Sequence, residues 1–292
     1  MERMTSRRSQ AAIHIRRLGA DKSYREQCRE FLCDGAKLLE EAVKSDTEII
    51  DVVTASHILF PLPVETRVYY ATQDIINSLS PLKSAQDTLF TCKMPPTGGF
   101  AYNEAMYSEG QQARTQYTQT QYTGTQYTGT QYSNEQYCEG LHILLDGIQD
   151  PGNLGTILRT AEAFRIDSVL LTGNCADLYN PKTVRATMGA IFRQKALTVD
   201  LSVLTKLKEA GAVFVGASLE SGRTGISGIS FRNKIVAIGS EGKGLSSGVT
   251  SLCGELFSIP MAPECESLNA AVAAAIVMWE AARTEFYGQA VI

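Results

Sequence analysis

The sequence predicts an α/β protein. A C-terminal domain with a parallel sheet covered by helices spans residues 141–292, and a smaller α/β domain spans residues 1–100. Three observations predict this. From Leu141 onward, short apolar runs alternate with helical stretches. Before residue 100 a less regular mixture of helix and strand signals marks a second unit. Between them, residues 101–140 carry a polar tract that can join no core. A chain of 292 residues has room for both units, and 44% hydrophobic residues is enough to fill two cores.

The chain opens on a basic, polar stretch, residues 1–12, with no apolar segment of the kind a secretory signal needs. Residues 1–29 carry eight Lys or Arg against three acids, Glu2, Asp21 and Glu26. Such a basic arm is suited to holding phosphates, and equally to keeping a tail soluble. Residues 25–43 have helical periodicity, with Phe31, Leu32, Ala36, Leu38, Leu39 and Val43 as the apolar set. Residues 49–53 and 68–70 read as short strands, and residues 74–79 as a helix begun after Thr72. Residues 89–93 read as a last strand, stopped by Pro95 and Pro96. Nothing in this unit reads as catalytic.

Residues 115–139 are five pentapeptides, TQYTQ, TQYTG, TQYTG, TQYSN and EQYCE, with tyrosine at 117, 122, 127, 132 and 137. A period of five matches neither a helix face nor a strand face. With no aliphatic side chains to bury, the tract cannot offset its ordering entropy. It is expected to be a disordered linker, whose tyrosines could stack on unpaired bases.

In the third region, strands are expected at 142–145, 168–171, 212–216, 234–238 and 256–259. Helices are expected at 154–164, 184–192, 203–210 and 267–286. Ligands of such sheets gather beyond the carboxyl ends of the strands, where this sequence places its distinctive loops. Other classes recede. No apolar run approaches the roughly 18 residues of a membrane span. The seven cysteines are odd in number, lack any CxxC spacing and are joined by only three histidines, so no zinc pattern assembles. Free thiols in a reducing cytoplasm are the expectation. A net charge of −4 argues against a protein that coats nucleic acid, though not against a local basic patch.

The first loop reads DGIQDPGNLGTILRTA from Asp146. Gly147, Pro151 and Gly152 shape its turn, and Asn153 is placed to cap the helix. Arg159, six residues on, lies about one and two-thirds turns away and so on another side. The second loop, IGSEGKGLS from Ile238, is neither a Walker A loop nor a GxGxxG fingerprint. Its glycines imply close approach of backbone to something, and Glu241 among them needs a partner. The third loop runs SIPMAPECESLNAAV from Ser258, with Ser267 as the expected cap of a helix rich in small residues. Taken singly, a capped surface helix, a glycine turn and a tightly packed core helix would serve as well.

Their order and spacing are more specific. The set DPGNLGTILRTA, IGSEGKGLS, and IPM followed by ESLNAAVAAAI resembles the three motifs of the SpoU/TrmH family of RNA 2′-O-ribose methyltransferases, of the SPOUT superfamily. The resemblance covers residues 141–285. It implies a C-terminal sheet threaded into a deep trefoil knot, and S-adenosyl-L-methionine as methyl donor, contacted by Gly216, Gly239, Ile259 and Leu268. It implies Arg159 as the essential catalytic residue, with Asn153, Glu241, Ser267 and Asn269 completing the site, and a homodimer. Residues 1–95 are similar, more loosely, to the L30e-like substrate-binding domain of 23S ribosomal-RNA members, which favours ribosomal over transfer RNA. Those relatives often read Ser-Arg-Gln-Asn-Pro where this chain reads Ser6-Arg7-Arg8-Ser9-Gln10. The resemblance implies a cytoplasmic enzyme needing no metal and no membrane. A transfer-RNA methyltransferase and a non-catalytic RNA-binding relative are the alternatives. An ordinary dinucleotide-binding enzyme would carry an early glycine fingerprint with an acid about 20 residues later, and neither is present.

Overall fold

The computed structural model describes residues 2–95, 137, 139–218, 224–262, 264–265 and 267–287. Most of the tyrosine-repeat tract, and with it the expected linker, lies outside the described residues.

The first unit consists of β1 (Glu2–Arg3), α1 (Gln10–Ala20), α2 (Lys22–Cys28), β2 (Glu30–Asp34), α3 (Ala36–Lys44), β3 (Ile49–Thr54), β4 (Arg67–Tyr70), α4 (Gln73–Leu79) and β5 (Thr88–Lys93). They form a mixed sheet in the order β1-β4-β3-β5-β2. β1 and β3 run parallel to β4, while β5 is antiparallel to both β2 and β3. Helices cover both faces. Met4, Ile15, Leu18, Leu32, Ile76 and Leu89 share one core, and Phe31, Cys33, Leu39, Val52 and Phe90 the other.

One expectation fails here. Residues 25–43 are not one helix: α2 ends at Arg29 in the left-handed region (φ 57°), and a buried strand intervenes before Gly35 turns the chain at φ 123°. Leu32 faces one core while Phe31 and Cys33 face the other. That is period two, but over so short an apolar run it also fits a helical pattern. The basic N-terminus is packed onto this unit. Met4 is buried, and Ser9 caps α1 by accepting a hydrogen bond from the Ala12 N–H at 3.3 Å.

The second unit comprises β6 (Leu141–Asp146), α5 (Pro151–Ala163), β7 (Ser168–Thr172), α6 (Pro181–Ala186), β8 (Ala196–Thr198), α7 (Leu201–Glu209), β9 (Phe214–Ala217), β10 (Thr224–Gly225), β11 (Lys234–Gly239), α8 (Ser247–Leu252), β12 (Glu255–Ser258) and α9 (Ala270–Tyr287). The sheet order is β10-β12-β9-β11-β6-β7-β8, and every neighbouring pair is parallel. α5 and α9 contribute to the core on one face, and α7 and α8 to that on the other. Each of the five expected strands is present. The helix expected over 184–192 is instead α6 and a short 3-10 turn, Ala190–Phe192, divided by Met188 (φ 51°) and Gly189 (φ 102°). β8, β10 and α8 are too short to have carried a periodic signal.

The two units are packed together through α6 and its flanks. Val184 and Phe192 complete the Phe31 core, and the Phe31 and Tyr179 ring centroids are 4.8 Å apart. Arg25 pairs with Asp177, Arg185 with Asp34 and Arg193 with Glu41. Among the described residues no helix is long and apolar enough to cross a membrane.

Candidate active site

Parallel strands bring all their carboxyl ends to one edge. β6 and β11 are neighbours, and their last residues, Asp146 and Gly239, stand opposite each other. The chain passes from β6 outward to β7 and β8, then resumes on the far side of β11 at β9. The β6–β11 junction is therefore the place where strand order reverses, the usual position of a binding crevice. The first loop leaves β6 there and the second leaves β11. The third leaves β12, one strand beyond β9.

Each loop has a local cause. Gly147 turns the chain out of β6 at φ 73°. Asp150, not Asn153, caps α5: its carboxylate accepts from the Asn153 N–H at 2.7 Å, and Pro151 takes the first helical position. Proline is favoured at that position because its missing N–H has no partner to lose. Asn153 is thereby moved inside the first turn, with its side-chain amide free for another task. The second loop folds back on itself, Ser240 and Gly244 exchanging backbone hydrogen bonds at 3.2 and 2.8 Å. A Cβ on Gly239 would stand 2.0 Å from the Gly244 carbonyl carbon. Only glycine permits that fold-back.

α9 is capped by Asn269 rather than Ser267. The Asn269 Oδ1 accepts from the Ala271 and Val272 N–H groups at 3.0 and 3.3 Å, while Ser267 is exposed two residues earlier. Ser and Asn are comparable caps, and the sequence places both within three positions. The shift matters, because the first turn of α9 then faces the second loop.

Three segments meet on one oxygen. Glu241 Oε1 accepts from Asn153 Nδ2 at 2.9 Å, from Asn269 Nδ2 at 2.8 Å and from the Ala270 N–H at 2.9 Å. Asn269 Nδ2 also donates to Asn153 Oδ1 at 3.1 Å. A carboxylate at a helix N-terminus satisfies an orphan N–H and is favoured by the helix dipole. Of the expected catalytic set, Asn153, Glu241 and Asn269 are thus joined. Arg159 and Ser267 are not joined to them. Arg159 is exposed on α5 and has no ion pair or hydrogen bond among the described residues.

The expected cofactor residues divide differently. Gly239 ends β11 and Ile259 follows β12, while Leu268 precedes α9; all three flank this edge. The last two are half-buried, and Ile259 packs on the core. Gly216 lies inside β9, where a Cβ would meet Leu245 at 2.7 Å and Leu256 at 2.8 Å. Packing alone accounts for that glycine. Around Gly147, Gly242 and Gly244, by contrast, nothing lies within 4 Å of where a Cβ would stand.

Asp146 went unrecognised as a site residue. It is buried, and its carboxylate accepts from the Ser246 N–H at 2.6 Å, tying the end of the second loop to the end of β6. The signal was available: a carboxylate closing a wholly buried strand needs a donor.

Comparison with known proteins agrees with this arrangement. Residues 140–279 match the model of the SpoU rRNA Methylase family. The 23S rRNA (guanosine(2553)-2′-O)-methyltransferase RlmP of Bacillus subtilis is 26% identical over 282 residues, 96% of this chain and 98% of that protein. The 23S rRNA (uridine(2479)-2′-O)-methyltransferase of Streptomyces viridochromogenes is 35% identical over 157 residues, covering 51% of this chain and 54% of its own length. The crystal structure of an AdoMet-bound rRNA methyltransferase from Sinorhizobium meliloti superposes with a TM-score of 0.73 at 24% identity, covering 97% of this chain and 98% of that one. That structure shares the fold, both units included. The parallel sheet and the three converging loops lie in the part of this chain, residues 140–279, that matches the SpoU rRNA Methylase family model.

Proposed function

We propose that this chain transfers a methyl group from S-adenosyl-L-methionine to a ribose 2′-hydroxyl of ribosomal RNA. The observation that carries this reading is the network of Asn153, Glu241 and Asn269, which gathers the three loops at the strand-order reversal. The bare backbone around Gly147, Gly242 and Gly244 leaves room for a flat nucleoside beside the strand ends. Ile259 and Leu268 would line its apolar side, and Gly216 and Gly239 would shape the strand ends beneath it. When bound, the donor supplies an electrophilic methyl on a sulfonium. Transfer would form one C–O bond and break one C–S bond, with that electron pair left on sulfur as a thioether and the hydroxyl proton released.

The chain's own residues then have separate tasks. Arg159, exposed and unpaired, would hold the target phosphate and stabilise the oxygen as it loses its proton; a guanidinium does not act as a base at ordinary pH. Asn153 orients the ribose from the first turn of α5. Glu241 is a positioning residue, its Oε1 occupied by three N–H donors. Ser267 lies at the mouth of the third loop, in reach of RNA rather than of the network.

The domain assignments belong to the same reading. Residues 1–100 are an L30e-like substrate-binding domain, and residues 101–140 a linker. The match to the Bacillus enzyme across both units supports ribosomal over transfer RNA. The insertion of β11 between β9 and β6 supports a trefoil knot in the segment that carries the second and third loops. The apolar outer side of α9, with Val272 and Trp279 exposed, supports a homodimer. A cytoplasmic location suits a ribosomal substrate. Mapping of 2′-O-methylated nucleotides in ribosomal and transfer RNA, with and without this protein, tests the proposal. One ribosomal position should depend on it; dependence of a transfer-RNA position alone would overturn the choice of substrate.

A further inference from the structure

A separate concavity of about 780 Å3 lies wholly within the N-terminal unit, between residues 3–8 and the ends of β4 and α4. This is within the roughly 300–1,000 Å3 of ordinary ligand pockets. Its wall is built rather than incidental. β1 pairs with β4, and the Met4 N–H donates to the Tyr70 carbonyl at 2.9 Å while the Met4 side chain is buried as an anchor. The chain then turns toward α1, the Ser6 hydroxyl accepting from the Arg8 N–H at 3.1 Å. Arg16 steadies the same turn by donating to the Arg7 carbonyl at 3.1 Å.

The turn presents Arg3, Arg7 and Arg8 to the concavity against one carboxylate, Asp74. Arg7 pairs with Asp74. The side chains of Arg3 and Arg8 are exposed, with no ion pair or hydrogen bond among the described residues. A positive cavity in a chain of net charge −4 is a localised feature. Tyr70, half-buried in the same wall, adds an aromatic surface. Guanidinium forks suit phosphate, and a tyrosine ring suits a base face. A concave site of this size admits an unpaired nucleotide and not a duplex groove.

We infer that this cavity takes an unpaired nucleotide of the RNA substrate, its phosphate on Arg3 and Arg8 and its base against Tyr70. The inference rests on the proposed activity for the identity of the ligand as RNA. The test uses the full chain and a short fluorescein-labelled single-stranded RNA, with affinity measured by anisotropy over a range of salt. Arg3→Gln combined with Arg8→Gln should weaken binding tenfold or more at low salt. It should also flatten the slope of log affinity against log salt by about 0.7, the value for one phosphate contact on a single strand. Tyr70→Leu should weaken binding about tenfold with the slope unchanged, and Tyr70→Phe should restore it. Asp74→Asn, which frees Arg7, should tighten binding. Both arginines are exposed and unpaired, so the melting temperature of the double variant should match that of the parent. Unchanged affinity and slope in the double variant overturn the inference. Displacement of the RNA by free UMP at equal concentration also overturns it, since the ligand would then be a mononucleotide. A parent chain that binds through the cavity but methylates no RNA overturns the proposed activity and leaves the cavity standing.

Discussion

Glu241 Oε1 accepts from three donors that belong to two other segments of the chain. Glu241→Gln keeps the shape and removes the charge, leaving a neutral amide oxygen to accept from the same three donors. Charge-assisted hydrogen bonds are roughly twice as strong as neutral ones. The variant should lose about 1 kcal/mol of stability in denaturant titration, with methyl transfer falling more steeply than S-adenosyl-L-methionine binding. Arg159 differs in kind, because nothing in the described chain holds it. Arg159→Ala should leave the melting temperature and donor binding by calorimetry unchanged while cutting methyl transfer by about 100-fold or more. Full activity in that variant would sink the proposed role. At this scale the sequence was informative about which residues matter: a glutamate among glycines needs a partner, and Asn153 and Asn269 lie near helix starts. Which of them meet was not legible. The answer turns on two cap choices, Asp150 over Asn153 and Asn269 over Ser267, each between residues of similar capping strength.

Among elements, legibility followed length and burial. β6, β7, β9, β11 and β12 are apolar runs bounded by polar turns, and each was readable. β2 was hidden because its apolar residues serve two cores, and α6 was overextended because Val184 and Phe192 are both buried across a left-handed break. The approach of α5 to α6 was also beyond sequence reading: a Cβ on Gly155 would stand 2.5 Å from both Ala186 Cβ and the Thr183 carbonyl oxygen. β8, at the sheet edge, carries a pH dependence. Burial pushes Lys195, just before it, down to about 8 from its ordinary 10.5, partly countered by Asp167. Between about 8 and 10.5 the unfolded chain holds a proton that the folded chain has released, so this lysine makes stability rise with pH through that window. Cys253 acts oppositely: burial raises it from 9.0 to about 11, so its contribution falls as pH rises between those values. Lys195→Met should therefore melt higher than the parent at pH 7, and the difference should shrink toward pH 10. An equal difference at both values would contradict the assignment.

For the whole molecule, the decisive feature is the contact between the two units. Arg25 is buried, donates to the Leu18 carbonyl at 2.6 Å and pairs with Asp177 of the other unit. Removing one partner of a buried pair strands the other charge, at a cost of about 3–5 kcal/mol. Arg25→Ala should lower the denaturation midpoint accordingly and separate one unfolding transition into two. A single transition at the parent's midpoint would show the units to be held by the Phe31 core and the other two ion pairs. The same scale gives the Glu241 junction a meaning in time. Its hydrogen bonds span 88 residues to Asn153 and 28 to Asn269, and Asn153 lies 116 residues from Asn269. A chain made from its N-terminus lays down the sheet before it has the residues that close the junction. A nascent or truncated product lacking α9 would have Arg159 and the second loop but lack the Asn269 and Ala270 donors that fix Glu241. Competence would then arrive only with the last helix, and a broken chain could occupy RNA without modifying it.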